Sequence, residues 1–363
     1  DCILDPRDIR SIQPEEVLAA TGLGVGELDL FDGSPPCQAF STAGRREKNW
    51  GKAHEYEHGA SQHNERLFEE YIRLLRGLMP KVFVAENVSG LVKGVAKGFF
   101  LEILAELKAS GYRVVCRVCD AQWLGVPQSR QRTIFVGVRE DLGLDPVHPS
   151  PLPYRYSIRD ALPWLDHIEQ HHVYGDRISD GECPAPSITR LGMGAKRQGL
   201  VEVIVGNSSF KTTWGPPDVP SPTIMAGGPH KGSGEFRRRV VETEADISRF
   251  ATGLEWDRLA VGEQSKKYFS LIRTDPDRPS PAILASHGSS SIASITHPFE
   301  RRKFTIEEVK ALCSFPADFV LSGSYAQQWE RLGNSVPPLM MRAIAETLRD
   351  QIFQRLTSDP ATP

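Results

Sequence analysis

The chain has 363 residues, 40% hydrophobic and 25% charged, enough to bury a substantial core and to form one large domain with a smaller one. No apolar stretch approaches the length of a membrane span, the opening Asp1-Cys2-Ile3-Leu4-Asp5-Pro6 has no signal character, and six irregularly spaced cysteines fit reduced thiols, so a soluble, cytoplasmic protein is expected. The net charge of −3 gives no sign of nucleic acid, and a DNA-binding surface must come from local clusters such as Lys196-Arg197, Arg237-Arg238-Arg239 or Arg301-Arg302-Lys303.

Pro6 to Ile12 reads as the end of a strand and a loop, and Pro14 to Ala20 as a short helix. Gly22-Leu23-Gly24-Val25-Gly26 invites a nucleotide-loop reading, but it follows a helix and precedes none, so it is a connector. The apolar run Leu28 to Phe31 reads as a short buried strand, after which Gly33, Pro35 and Pro36 force a rigid turn that puts Cys37 at the strand's carboxyl end. Reacting groups collect at such strand ends in open α/β sheets, which makes Cys37 a candidate nucleophile, although a lone cysteine is more often a small buried hydrophobe. Thr42 to His63 lacks apolar periodicity and reads as an exposed loop, either a lid or a plain connection. From Asn64, Leu67, Phe68, Tyr71, Ile72, Leu74, Leu75 and Leu78 recur at helical spacing until Pro80. Lys81 to Ala85 is a compact strand that delivers Glu86-Asn87-Val88 to its end, so two successive strand ends offer a cysteine and a glutamate to one crevice.

Lys97 to Ala109 is an amphipathic helix closed by Gly111, and Tyr112 to Val118 is a strand. Cys116 and Cys119 have zinc-like spacing, but no second pair accompanies them and no metal is expected. In Gly125-Val126-Pro127-Gln128-Ser129-Arg130-Gln131-Arg132 the alternating arginines project to one side, ahead of the apolar strand Thr133 to Val138. Beyond Asp141, and more clearly after Leu165, prolines and glycines multiply and periodicity weakens, marking a second domain. It contains three related phrases, Pro184-Ala185-Pro186-Ser187-Ile188, Pro220-Ser221-Pro222-Thr223-Ile224 and Pro279-Ser280-Pro281-Ala282-Ile283. Ordinary patterning returns at Arg301: Thr305 and Glu308 have capping-box spacing before a helix through Cys313, and Gly333-Asn334-Ser335-Val336-Pro337-Pro338 introduces a terminal helix, Leu339 to Phe353.

Pro-Pro-Cys-Gln, Glu-Asn-Val, Gln-x-Arg-x-Arg and Gly-Asn-Ser-Val-Pro, in that order across residues 33 to 338, resemble the signature of the cytosine C5 DNA methyltransferases. The resemblance implies an α/β fold: a Rossmann-like catalytic domain, with a mixed, mostly parallel sheet and helices on both faces, in residues 1–165; a smaller, irregular, β-rich target-recognition domain in 166–300; and a return to the catalytic domain in 301–363. It implies S-adenosylmethionine as methyl donor and a flipped-out cytosine in duplex DNA as acceptor. Cys37 would add to C6, Glu86 would hold the cytosine edge, and Arg130 and Arg132 would contact the base and Glu86. Asp8, Ile9, Pro36, Leu67, Asn334 and Ser335 would hold the cofactor. A monomer is implied, nucleoid-associated if bacterial, with a cognate restriction endonuclease as companion. Cys313 stands where the family more usually has glutamine. The family's glycine-rich cofactor loop is not found before Asp8, so roughly 40 to 80 further residues, one or two βα units, are expected ahead of Asp1. Two alternatives stand beside this reading. A tRNA methyltransferase of the same chemistry is disfavoured by the long stretch between Arg132 and Arg302, and an inactive DNA-binding homologue is favoured only by the missing loop.

Overall fold

The computed structural model describes residues 3–35, 54–55, 61–62, 67–92, 97–163, 165, 203–205, 237–239 and 243–358. By contacts the chain divides into two units, one of Asp1–Gly125, Ser129–Tyr154 and Leu339–Pro363, the other of Val126–Gln128 and Arg155–Pro338.

In the first unit, α1 (Pro14–Thr21) begins with proline in its first turn and a Gln13/Glu16 capping box, and ends on Gly22 in the left-handed conformation. The connector then leads to β1 (Leu30–Gly33). Inside the segment read as a lid, β2 (His54–Glu55) and β3 (Ser61–Gln62) pair antiparallel. There follow α2 (Leu67–Leu78), β4 (Val82–Val88), α3 (Lys97–Ala109), β5 (Tyr112–Asp120) and β6 (Gln131–Arg139). The main sheet has the order β1-β4-β6-β5. Only β1 and β4 run parallel, and β6 is antiparallel to both β4 and β5. Among the described residues the sheet is therefore mixed rather than mostly parallel. The reason is local: residues 121–130 join β5 to β6 without the helical crossover that parallel neighbours require.

Two further expectations change. Among the described residues Leu28 to Phe31 does not form a buried strand: β1 begins at Leu30, pairs there with β4 alone, and Leu30 is 37% exposed. Pro6 to Ile12 holds no strand but a 3₁₀ turn at Ile9–Ser11, because the Asp8 carboxylate accepts the Arg10 N–H at 2.9 Å and so favours a tight local turn.

The apolar face of α2 (Phe68, Tyr71, Ile72, Leu75), with Ile103 and Leu107 of α3, packs on Phe83, Ala85, Tyr112, Val114 and Phe135. Period-2 alternation sends Val82, Val84, Ile134, Val136 and Val138 to the other face, where all are closed to solvent.

In the second unit, α4 (Ile158–Ala161), β7 (Val203–Val205), β8 (Arg237–Arg239), α5 (Ala251–Trp256), β9 (Ile272–Arg273), β10 (Ile295–Thr296), α6 (Ile306–Leu312) and α7 (Tyr325–Asn334) follow in order. Among the described residues its strands form two short pairs, β7 with β8 and β9 with β10, while its core is built largely by Ile158, Ile283, Phe304, Val309, Leu312 and Trp329. The unit runs on to Pro338. The capping box at Thr305 and Glu308 forms as expected. Of the proline phrases, the first two lie outside the described residues; in the third, the Ser280 N–H donates to the Pro127 carbonyl at 2.9 Å.

Arg301-Arg302-Lys303 is not a solvated basic surface. Arg302 is 2% exposed and its two terminal nitrogens donate to Glu308 at 2.6 and 2.9 Å. Lys303 is 1% exposed and donates to the carbonyls of His287 and Ser289. Gly333 is required by close approach, since a Cβ there would sit 2.4 Å from the Ala285 nitrogen. Finally α8 (Pro338–Leu348), with Met340, Ile344 and Leu348 buried, enters the first unit and continues through a π turn at Arg349–Phe353. Among the described residues no helix is long and apolar enough to cross a membrane.

Candidate active site

Because β1 and β4 are adjacent and parallel, their carboxyl ends lie side by side. Strand β4 extends three residues further than periodicity suggests, so Glu86 and Asn87 lie within the ladder rather than beyond it. Glu86 faces Ile134 across the ladder and Val88 faces Arg132. Glu86 and Arg132 are therefore diagonal neighbours on the face carrying Val84 and Ile134, within reach of long side chains. Arg132 Nε lies 2.6 Å from Glu86 Oε1, with the two side chains 14% and 10% exposed.

Arg130 is 3% exposed and sets a second positive charge near the same carboxylate. Burial pushes the Glu86 carboxyl above the ordinary range, while the Arg132 and Arg130 charges and a hydrogen bond with Ser34 pull it back without cancelling the rise. Asn87 Nδ2 donates to the Pro35 carbonyl at 3.1 Å, fastening the chain that leaves β1 to the end of β4. Cys37 and Pro36 lie outside the described residues, which stop at Pro35 on this side.

The structure thus brings Glu86, Arg130 and Arg132 together in the first unit. Asp8 and Ile9 sit on the 3₁₀ turn, and Arg73 of α2 donates to the Ile9 and Ile12 carbonyls at 3.0 and 2.9 Å, tying that turn to the helix that starts at Leu67. The exposed Asp8 carboxyl is held down to about 2 by its hydrogen bonds with Arg10. Asn334 and Ser335 belong to the second unit, at the carboxyl end of α7, where Ser335 Oγ donates to the Leu332 carbonyl at 2.7 Å.

Sequence reasoning passed over three residues here. Asp120 Oδ1 accepts the Arg130 N–H at 3.1 Å and the Gln122 N–H at 3.3 Å, so it anchors the backbone that carries Arg130. Ser34 meets Glu86, and Tyr71 donates to the Val84 carbonyl at 3.0 Å beneath the two strand ends. Only Ser34 had a readable signal, its place just ahead of the proline turn. The departure at Cys313 is absorbed by Gln128, whose buried amide donates to Cys313 Sγ and to the Leu312 carbonyl, both at 3.3 Å.

Residues 4–350 match the C-5 cytosine-specific DNA methylase family, and the chain belongs to it. It is 27% identical over 352 residues to the Type II methyltransferase M.SacI of Streptomyces achromogenes, covering 95% of this chain and 77% of that protein. It is 25% identical over 397 residues to M.AgeI of Thalassovita gelatinovora, covering 96% and 89%. Among solved structures, a provisionally assigned DNA modification methyltransferase encoded within an E. coli prophage shares the fold, with a TM-score of 0.59 at 18% identity over 96% of this chain and 85% of the other. The protein is accordingly an enzyme that methylates cytosine in DNA.

Proposed function

We propose that the protein transfers a methyl group from S-adenosylmethionine to C5 of a cytosine extruded from duplex DNA, with Cys37 as the covalent nucleophile. The observation that carries this reading is the buried Glu86–Arg132 pair at the end of β4, where Ser34 meets Glu86 and Pro35 accepts from Asn87, two residues ahead of Cys37 in the sequence.

Cytosine C5 is a weak nucleophile. Addition of the Cys37 thiolate to C6 makes the Sγ–C6 bond and moves electron density to C5. Glu86, with its carboxyl raised by burial, can donate a proton at N3 and accept from the N4 amine, stabilising the charge that develops on the ring. Arg132 fixes Glu86, Arg130 orients the base, and their positive charge favours the thiolate. Once C5 carries the new methyl, a base accepts its proton, the C–H electron pair re-forms the C5–C6 double bond, and the Sγ–C6 bond breaks to release Cys37 as the thiolate. The C6 face is stacked inside a duplex, so the base must be flipped out first.

When bound, S-adenosylmethionine supplies the electrophilic methyl group. Asp8, Ile9, Pro36 and Leu67 would hold its nucleoside, and Asn334 and Ser335 its amino acid end. A carboxylate, aliphatic side chains, an amide and a hydroxyl are a donor set that suits such a ligand. Residues 166–300 are read as the target-recognition domain, the protein as a cytoplasmic monomer, and the "Type II" in its relatives' names motivates a companion restriction endonuclease acting on the same site.

Bisulfite sequencing of DNA and tRNA from cells producing the protein tests this reading. Methylated cytosine in DNA at one sequence context is expected. Methylation confined to tRNA, or absent from both, would overturn it.

A further inference from the structure

The second unit carries a turn whose chemistry the proposed reaction leaves unused. The Gln264 amide donates to the Phe269 carbonyl, and the Ser265 N–H donates to the Leu271 carbonyl at 2.9 Å, closing a hairpin-like stem below residues 266–270. Ser265 is 3% exposed, and its hydroxyl donates to Glu255 Oε1 at 2.7 Å while accepting the N–H groups of Lys267 and Tyr268 at 3.0 Å. The stem is rooted by Leu271, 1% exposed. A turn stapled at both ends cannot readily fold its apolar side chain back onto the protein. Phe269 stands 84% exposed at the tip, more than any other aromatic side chain among the described residues.

Lys-Lys-Tyr-Phe-Ser at 266–270 contains two cations and no acid. Lys266 and Lys267 are exposed, and Lys267 Nζ lies 5.2 Å from the centre of the Tyr268 ring. Of the nearby acids, Glu255 is ion-paired with Arg258, and Glu263 accepts the Ala260 N–H but keeps its charge, so Lys266, Lys267 and Arg258 stand against Glu255 and Glu263. The turn therefore offers net positive charge around a rigid aromatic tip. A polyanion with apolar surface between its charges complements it, and a DNA duplex has that character, with phosphates along the backbone and base edges in the groove.

Resting on the methyltransferase reading, we propose that the turn Ser265–Ser270 is a duplex-DNA contact in which Lys266 and Lys267 neutralise phosphates and Phe269 packs against base edges as a specificity-determining residue. Phosphate contacts place a protein on DNA without reading it, whereas an apolar tip in the groove distinguishes sequences. The lysines and the phenylalanine therefore leave different signatures.

The test measures binding of the protein to two duplexes across a salt series, one containing the sequence context mapped by bisulfite sequencing and one with that context scrambled. Lys266→Ala with Lys267→Ala should weaken both duplexes alike and flatten the log–log salt dependence by about 1.8, two phosphates' worth. Phe269→Ala should weaken the mapped duplex roughly tenfold, spare the scrambled one and leave the salt slope unchanged, and Phe269→Trp should restore most of the loss. Thermal midpoints should stay at the wild-type value, because none of the three side chains is buried. Unchanged affinity and slope in both variants, with a wild type that binds and methylates the mapped duplex, would overturn the turn proposal alone. A lowered midpoint for Phe269→Ala would likewise overturn it, by assigning the ring to packing. A wild type that neither binds nor methylates duplex DNA would overturn both readings.

Discussion

Arg132 Nε lies 2.6 Å from Glu86 Oε1, joining the ends of two antiparallel strands through side chains that are nearly closed to solvent. Removing one partner of such a pair leaves a buried charge unmatched. Arg132→Met should cost about 3 kcal/mol of stability, and urea unfolding midpoints check this. Glu86→Gln should lower the single-turnover rate by roughly a hundredfold or more at saturating DNA and methyl donor, since an amide cannot supply the same proton or charge at N3. A near-wild-type rate would reject the assigned role. The raised Glu86 carboxyl gives this pair a pH signature. Its contribution to stability is fully present below the ordinary 4.5 and is lost as pH rises through the folded-state value, so Glu86→Gln should gain on the wild type as pH climbs from 4.5.

Asp120 acts on Arg130 through the backbone, which makes it a positioning residue. Asp120→Ala should reduce kcat about tenfold or more with little change in KM for DNA, and Asp120→Asn, which keeps an acceptor oxygen, should recover most of it. Equal loss in both variants, or a loss confined to KM, would count against this role.

In the second unit, Glu308 serves two partners: it accepts from Arg302 at 2.6 Å and from the Thr305 N–H at 2.7 Å in the capping box of α6. Glu308→Ala should therefore destabilise by about 3 kcal/mol, leaving Arg302 with Glu300 as its remaining carboxylate, and pairing it with Arg302→Met should recover only part of the loss, because Glu300, 2.5 Å from Arg302 Nε, then loses its own partner. Thermal or urea midpoints of the single and double variants decide the point.

Burial lowers the Lys303 ammonium to about 7 from its usual 10.5. Between these values the unfolded chain binds more protons than the folded one, so this residue makes stability increase as pH rises from about 7 towards 10.5, and below 7 the cost of the buried charge is constant. Lys303→Met should flatten the slope of stability against pH in that window. An unchanged slope would show that the amine titrates at its ordinary value.

The spacing of apolar residues located α2, α3 and the capping box of α6 closely, because each rests on contacts within a few residues. Strand placement was less legible. β1 looked buried from its apolar run, yet exposure depends on how many neighbours a strand has, which the run itself does not encode. The same limit hid the basic triplet: Arg302 and Lys303 look like surface charge until Glu308 and the carbonyls of His287 and Ser289 fold against them. Glu86, Arg130 and Arg132 stood out by their residue types at strand ends. Asp120 did not, because its partner is a backbone N–H ten residues away across a turn.

The central claim is most directly tested by trapping. The protein, S-adenosylmethionine and duplex DNA carrying 5-fluorocytosine at the mapped position are combined, denatured and separated by mass. Fluorine at C5 cannot leave as a proton, so the Sγ–C6 bond should persist as a denaturant-stable adduct that depends on the methyl donor, is absent in Cys37→Ala and is strongly reduced in Glu86→Gln. Methylation of ordinary cytosine with no adduct on the fluorinated duplex, or an undiminished adduct in Cys37→Ala, would contradict the account.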